Sequence, residues 1–327
     1  MKRLTTIKPH DAKITVGLDL GSAAVKAVVL GPRKGGGPRP ILAKQLVPLT
    51  AGQEADPSDA IKAAMTGLHL PVRSVNLGVS GQWVIMRIIE MPAMKPAEVK
   101  QALPYEAQRH LPFSIQDVVV DGAVLGAADA GKQWVLIVAC KKELIERRLD
   151  WVRRAGLDVA MIDVDTLAVA NGFLANGGRH SDGTKALINV GAQLTNLVMF
   201  RADVPYLVRD IPWGGDKLVR GIADQEARDP AAVAKALAEG TADEQLGALF
   251  RQAVEPLVTE LELSFDYFEN RFGQPPDTVL VSGGIGQSAA FQAALKSHLA
   301  QSVVPWTPAT GLSSQFAVAY GLALRTL

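Results

Sequence analysis

The stretch ITVGLDLGSAAVKAVVL, residues 14–30, decides the fold. A β-rich run from Ile14 to Leu20 breaks at Gly21-Ser22 and resumes from Val25 to Leu30. That spacing predicts a strand, a tight turn and a returning strand. Asp19, Gly21, Ser22 and Lys26 crowd around the turn. Gly21 allows a ligand to approach the backbone with no Cβ in the way. The N–H groups near Gly21 and Ser22 can form a concave anion site. Asp19 could hold a cation through water, and Lys26 could face phosphate oxygens. By itself the stretch fits an ordinary hairpin at least as well, with Asp and Ser satisfying their own backbone.

A second stretch changes that balance. ALINVGAQLTNLVMF, residues 186–200, repeats the pattern, with its break at Gly191-Ala192-Gln193. Aligned on the glycines, Asp19-Leu-Gly-Ser matches Asn189-Val-Gly-Ala. A glycine-centred hairpin that recurs at a long interval, each time opening a domain, predicts a duplicated fold. Two such hairpins facing one cleft could grip the phosphates of one nucleotide from both sides. Thr278 to Val281 then forms a short strand ending in Ser282-Gly283-Gly284-Ile285-Gly286, followed by a helix over 288–299. A strand running into a glycine turn and a helix is where nucleotides commonly sit in α/β folds.

Whole-chain properties narrow the classes. The 327 residues suffice for two domains, and 48 % are hydrophobic. Lys+Arg number 34 against 33 Asp+Glu, so no basic field points to nucleic acid. Cys140 is the single cysteine, which excludes an internal disulfide and reads as a buried small hydrophobe. No run is apolar enough to span a bilayer, and residues 1–13, a short flexible arm, lack a signal-peptide core. A cytoplasmic protein is expected.

In order, residues 14–82 predict β-β-β-α-β, with Asp56 or Ser58 capping the helix of 57–68. Residues 83–160 predict β-α-β-β-α-β, a compact inserted unit, with Pro104 kinking or interrupting its first helix. Lys141-Lys142, Arg147-Arg148 and Arg153-Arg154 put positive charge along its second helix, by default a solvated face. Residues 161–180 return to the first lobe and include a helix between the halves. Residues 181–327 form the second lobe, again opening β-β-β; SDGTK at 181–185 predicts a turn and 224–247 helical segments. Its last helix, Phe316 to Leu324, is small and apolar and predicts close packing on a sheet, with the first lobe as its possible seat.

Three glycine turns at strand ends resemble the actin, Hsp70 and sugar-kinase superfamily. Within it the chain is similar to the PilM-type pilus-assembly family, relatives of the cell-division protein FtsA. GLDLGSAAVK, EMPAMKPAEVKQALPYEAQRHLPF, INVGAQLTNLVMF, RDIPWGGDKLVRGIA and LELSFDYFENRFGQPPDTVLVSGGIG carry the resemblance, from about residue 14 to the end. It implies a two-lobed actin-like α/β fold with an inserted subdomain. It places Gly21, Ser22 and Lys26 in a first phosphate loop, and Gly191, Gln193 and Thr195 in a second. Gly214 and Gly215 would lie near ribose and phosphates, Lys235 near the adenosine, and Gly283, Gly284 and Ile285 in the adenosine loop. ATP and Mg²⁺ are the implied cofactors, with Asp19 reaching the metal through water.

Two departures stand out. Asn189 replaces the usual Asp of the second hairpin, and an amide neither acts as a base nor lends charge to Mg²⁺. Ala232 and Val233 stand where an acidic ribose contact is expected. The resemblance therefore implies a scaffold of a type IV pilus or related secretion machine, at most a weak ATPase. Its partners would be the N-terminal tail of a PilN-like inner-membrane protein, other machine components, or a second copy of itself, with Met91, Met94 and Phe113 as candidate contacts or plain core. A small-molecule kinase with Asp163 or Asp165 as base, a chaperone-type ATPase and a nucleotide-free docking protein are the alternatives.

Overall fold

The computed structural model describes residues 14–33, 37–50, 52–178, 183–239 and 244–326. The expected arm at 1–13 and residues 181–182 of the expected turn lie outside them. The opening hairpin forms as predicted: β1 (Thr15–Leu20) and β2 (Ala24–Leu30) pair antiparallel, with Asp19 opposite Lys26. β3 (Ile41–Pro48), α1 (Ser58–Gly67) and β4 (Ser74–Val79) follow. The Asp56 carboxylate accepts from the Ser58 N–H at 3.1 Å, but the N-cap position of α1 is Pro57, so neither Asp56 nor Ser58 is the cap.

All six elements of the inserted run are present: β5 (Val84–Pro92), α2 (Pro96–Gln108), β6 (Val118–Ala127), β7 (Lys132–Lys141), α3 (Lys142–Arg154) and β8 (Asp158–Val164). Hydrogen bonding divides them. β5, β7 and β6 make a separate three-stranded antiparallel sheet under α2, whereas β8 pairs in parallel with β4. The chain thus re-enters the first sheet at β8, and Val152 of α3 packs into that lobe's core. α2 runs unbroken through Pro104, against the expected interruption. A proline costs one backbone hydrogen bond, and the burial of Val99, Leu103 and Ala107 holds the helix on both sides of it.

α4 (Asp165–Phe173) leads to the second lobe: β9 (Thr184–Val190), β10 (Thr195–Arg201), β11 (Val204–Ile211), α5 (Gly215–Glu226), α6 (Pro230–Glu239), α7 (Glu244–Ala253), α8 (Glu255–Phe272), β12 (Thr278–Ser282), α9 (Ala289–His298), β13 (Ser302–Pro305) and α10 (Ala317–Ala323). Sequence reading missed β13, whose four residues are too few to show a period. The two large sheets have one topology, β3-β2-β1-β4-β8 and β11-β10-β9-β12-β13. In each, a meander of three antiparallel strands is followed by two parallel ones. The duplication expected from the two hairpins is therefore complete.

The last helix closes the first lobe rather than the second. The carbonyls at its C-terminal end lack helical partners, as at any helix end. Asn76 Nδ2 donates to Leu322 O at 2.8 Å, and Arg39 Nη1 and the Thr15 hydroxyl both reach Ala323 O. Contact is so close that a Cβ on Gly17 would lie 1.9 Å from Ala319 O, and one on Gly321 1.8 Å from Ala168 O. α10 is therefore wedged between β1 and α4.

Gly17→Ala and Gly321→Ala are each expected to lower unfolding stability by about 1–3 kcal/mol through overpacking. Gly221→Ala, mid-helix with open space at its Cβ, is expected to raise it by roughly 0.5–1 kcal/mol. Urea unfolding of the three variants checks both signs.

Candidate functional site

The cleft between the lobes has a volume of about 710 Å³, well within the range of small-ligand sites. The two hairpin turns face each other across it. From the first come Asp19, Gly21, Ser22 and Lys26, and from the second Gly191 and Gln193. Gly215, at the start of α5, and Gly284 and Ile285, after β12, complete the opposite wall. Val219, Pro230 and Ala234 give that end an apolar face.

Four expected residues do not line the cleft. Thr195 is fully buried, and its hydroxyl donates to Trp213 O at 2.8 Å, which pins the second turn to the α5 approach. Gly214 caps α5 against Ala192. Gly283 has φ +94°, and a Cβ there would stand 2.2 Å from Val190 O. It shapes the loop and leaves the cleft to Gly284. Lys235 is exposed on α6, and its neighbour Ala234 lines the cleft instead. Val233 is part of the second lobe's core, which accounts for an apolar residue there.

Beneath each turn lies a cross-strand pair. In the first lobe Lys26 Nζ meets Asp19 Oδ2 at 2.8 Å, with Asp19 buried. At the matching positions of the second lobe Asn189 Nδ2 donates to Asn196 Oδ1 at 2.9 Å. Asn196 Nδ2 in turn donates to Asp210 Oδ1 at 2.9 Å and to the Thr166 hydroxyl at 3.0 Å. The other Asp210 oxygen accepts from the Gly81 N–H at 2.8 Å. Asn189 is thus tied by its amide into a network that ends on the Asp210 carboxylate, and it brings no charge of its own to the cleft.

Of two buried ionisable residues at the cleft, Arg148 escaped the sequence reading of a binding site, and Asp165 entered it only as a candidate kinase base. Arg148 lies on the inner side of α3, donates to Gly78 O at 2.7 Å and leaves its Nε without a partner. The basic face expected along α3 is therefore not all solvated. Leu144, Arg148 and Val152 are its buried residues, so a charge on the apolar i, i+4 stripe was the available signal. Asp165, the first residue of α4, also lines the cleft. Burial pushes its carboxyl up to about 7; Arg148 opposes that shift, and Asp19 and Asp210 add to it. Asp163, the other carboxylate weighed as a base, is paired with Arg325 at 3.0 Å and does not line the cleft.

The arrangement fits a phosphorylated ligand better than a resident metal. Among the described residues no group of three or more His, Cys, Asp or Glu side chains is placed to hold a metal ion. Asp19 and Asp165 are balanced by Lys26 and Arg148, so an ion there would need ligand oxygens as well. Burial raises the Cys140 thiol to about 11, so it is inert near neutrality.

Comparison with known proteins follows the same lines. A family model described as type IV pilus assembly protein PilM matches residues 17–327. Among solved structures, the PilM-PilN type IV pilus biogenesis complex matches with a TM-score of 0.80 at 26 % identity, covering 96 % of this chain and 98 % of that one. The ethanolamine utilization protein EutJ from Carboxydothermus hydrogenoformans matches with a TM-score of 0.55 at 14 % identity, over 97 % and 91 %. A Bacteroides thetaiotaomicron protein with an actin-like ATPase fold gives 0.51 at 9 %, over 95 % and 96 %. The last two share the fold alone, and the fold is actin-like.

Because its carboxyl is raised, Asp165 binds a proton on folding between the ordinary carboxylate range near 3.8 and about 7. That contribution is present at acid pH and lost as pH rises through about 7. Denaturant titrations at several pH values should show the stability of wild type falling relative to Asp165→Asn between pH ~4 and ~7 and levelling off above that.

Proposed function

The chain belongs to the PilM family of type IV pilus assembly proteins, and from that membership we propose that it is a nucleotide-binding docking scaffold of a type IV pilus or related secretion machine. The observation that carries the nucleotide part is the pair of matched glycine turns facing one cleft. Backbone N–H groups of Gly21, Ser22 and Gln193 receive the phosphates, with Lys26 as counter-charge, while the Gly191 N–H closes its own turn on Leu194 O at 2.9 Å. Gly284 and Ile285, with Val219, Pro230 and Ala234, border the base. Asp19 would hold a Mg²⁺ brought with the phosphates, through water. What the metal supplies is charge neutralisation at the phosphates.

Turnover is weak in this reading. The position of the usual second-lobe carboxylate holds Asn189, whose amide is committed to Asn196. The scaffold's partner is a PilN-like inner-membrane protein, a reading supported by the match to the PilM-PilN complex. Among the described residues no helix is long and apolar enough to cross a membrane, which suits attachment through that partner. Of the contacts suggested for the tail, Met91 is core of the inserted unit and Met94 packs against that core. Phe113 is half-buried beneath the Lys141 ammonium at 4.5 Å.

One observation favours a second reading, a small-molecule kinase. Asp165 stands at the cleft with a carboxyl raised toward neutrality, as a general base requires.

Calorimetric titration with ATP and Mg²⁺ tests the nucleotide part. Wild type should bind, and Lys26→Ala and Gly284→Asp should each weaken binding by about tenfold or more. No binding by wild type would leave a docking protein without nucleotide. ADP release that Asp165→Asn abolishes, dependent on an added small alcohol or sugar, would favour the kinase. A synthetic N-terminal tail of a PilN-like protein, titrated with and without nucleotide, tests the docking part separately.

A further inference from the structure

Away from the turns, a second cavity of about 660 Å³ opens between the inserted sheet and the second lobe. Its walls are two strand edges. β5 is the outer strand of the order β5-β7-β6, and β11 the outer strand of β11-β10-β9-β12-β13. Val84 to Ile88 of the one and Tyr206 to Asp210 of the other line the cavity without a gap in either run. Successive strand residues point to opposite faces. A run of consecutive residues borders one cavity only where that cavity meets the strand edge-on, along its main chain. Among the described residues neither strand has a hydrogen-bonded neighbour on its outer side, and a free row of N–H and C=O groups is a template for another strand.

The side chains narrow the occupant. α8 supplies Leu263 and Tyr267, which remain 58 % and 50 % exposed although large and apolar. Arg209 is matched by Glu260 at 2.7 Å. Arg87 is not matched: its guanidinium donates to the carbonyl of its own neighbour Met86, and no described carboxylate pairs with it. The groove therefore offers main-chain hydrogen bonds, two apolar contacts and one guanidinium without a carboxylate partner; the Asp210 carboxylate on its wall is already held by Gly81, Thr166 and Asn196. A nucleic acid would need many cations where there is one. A compact small molecule would leave the strand edges unpaired.

We propose that this groove docks an extended segment of a partner protein, added as a strand to the β5 edge, with apolar side chains toward Leu263 and Tyr267 and an acidic side chain opposite Arg87. Strand addition is an established way to bind peptides: the edge supplies affinity, and pockets for alternate side chains supply specificity. The proposal depends neither on nucleotide in the cleft nor on where a PilN-like tail docks.

Short linear peptides displayed on phage and selected on the full chain test it. Recovered peptides should alternate apolar residues and carry an Asp or Glu. Their affinity, measured by fluorescence anisotropy, should fall about tenfold or more on Arg87→Glu and on Tyr267→Ala. Exchanging the peptide's acid for Lys should restore binding to Arg87→Glu, and amide exchange along 84–88 should slow on binding. Failure to enrich any sequence, or affinity that neither variant changes, would overturn the proposal. So would a wild-type dimer that Tyr267→Ala dissociates, because the groove would then be a contact between copies.

Discussion

The cross-strand pair beneath each glycine turn is the constraint from which the rest of the site follows. A hairpin register fixes which two side chains stand side by side. Here the two lobes use the same register for opposite chemistry. Asp19 and Lys26 make a charge pair 2.8 Å apart, and Asn189 and Asn196 make an amide pair at 2.9 Å. A buried ion pair stays favourable only while both partners remain and their other hydrogen bonds are met. An incoming phosphate would compete for Lys26 and release Asp19, so the first lobe can respond to an anion by redistributing charge. The amide pair has no charge to redistribute. Beneath the turns, charge is thus confined to the first lobe.

The neutral pair has a different use. Asn196 extends it to Asp210 and Thr166, and Asp210 extends it to the Gly81 N–H. Thr166 belongs to the helix that joins the lobes, and Gly81 to the turn that leads into β5. One carboxylate therefore collects donors from the second sheet, from the connecting helix and from the entry to the inserted unit. Because Asp210 has three partners and is largely buried, losing it would strand several polar groups at once, each costing about 1–3 kcal/mol. The three bodies are held in register by hydrogen bonds at this point and by small-residue packing of α10 against β1 and α4.

Much of this architecture was legible because period-2 runs broken by glycine are a strong local signal. Both hairpins, the strand and glycine turn at 278–286 and the order of the inserted elements all rest on it. What was not legible depended on pairing across the chain. No local feature of 158–164 says that it joins β4 instead of the inserted sheet, because strand partners are chosen by tertiary packing. The disruptive effect expected of Pro104 was a local rule overruled by burial on both sides. The site followed the same division. Turn residues that contact the cleft were found, and so were glycines that only shape it, since Gly283 and Gly284 look alike in sequence although a backbone carbonyl crowds only the first. Asn196 could have been found by carrying the hairpin register two positions past the turn, where it matches Lys26. Arg148 could have been found as a charge on an apolar stripe. Asp165 was offered as a candidate base by its place in the chain, whereas its raised carboxyl, which comes from burial and from charges brought by other elements, could not be read there.

Asp210 also sits on the wall between the two cavities. Asn196, its hydrogen-bond partner, lines the cleft, and Asp210 itself lines the groove. A shared wall does not by itself couple two sites; coupling needs a ligand that binds two arrangements of the wall with different affinity. The network provides for two arrangements. With the cleft as it stands, Asn196 donates to Asp210 and accepts from Asn189. A ligand oxygen that drew the Asn189 amide toward it would free the Asn196 carbonyl and loosen its hold on Asp210, and with it the anchor of the Gly81 turn at the head of β5. A strand added to β5 would stiffen that same turn from the other side. The two ligands would then meet through one carboxylate, and any effect of the first on the second would have to appear, with equal size, as an effect of the second on the first.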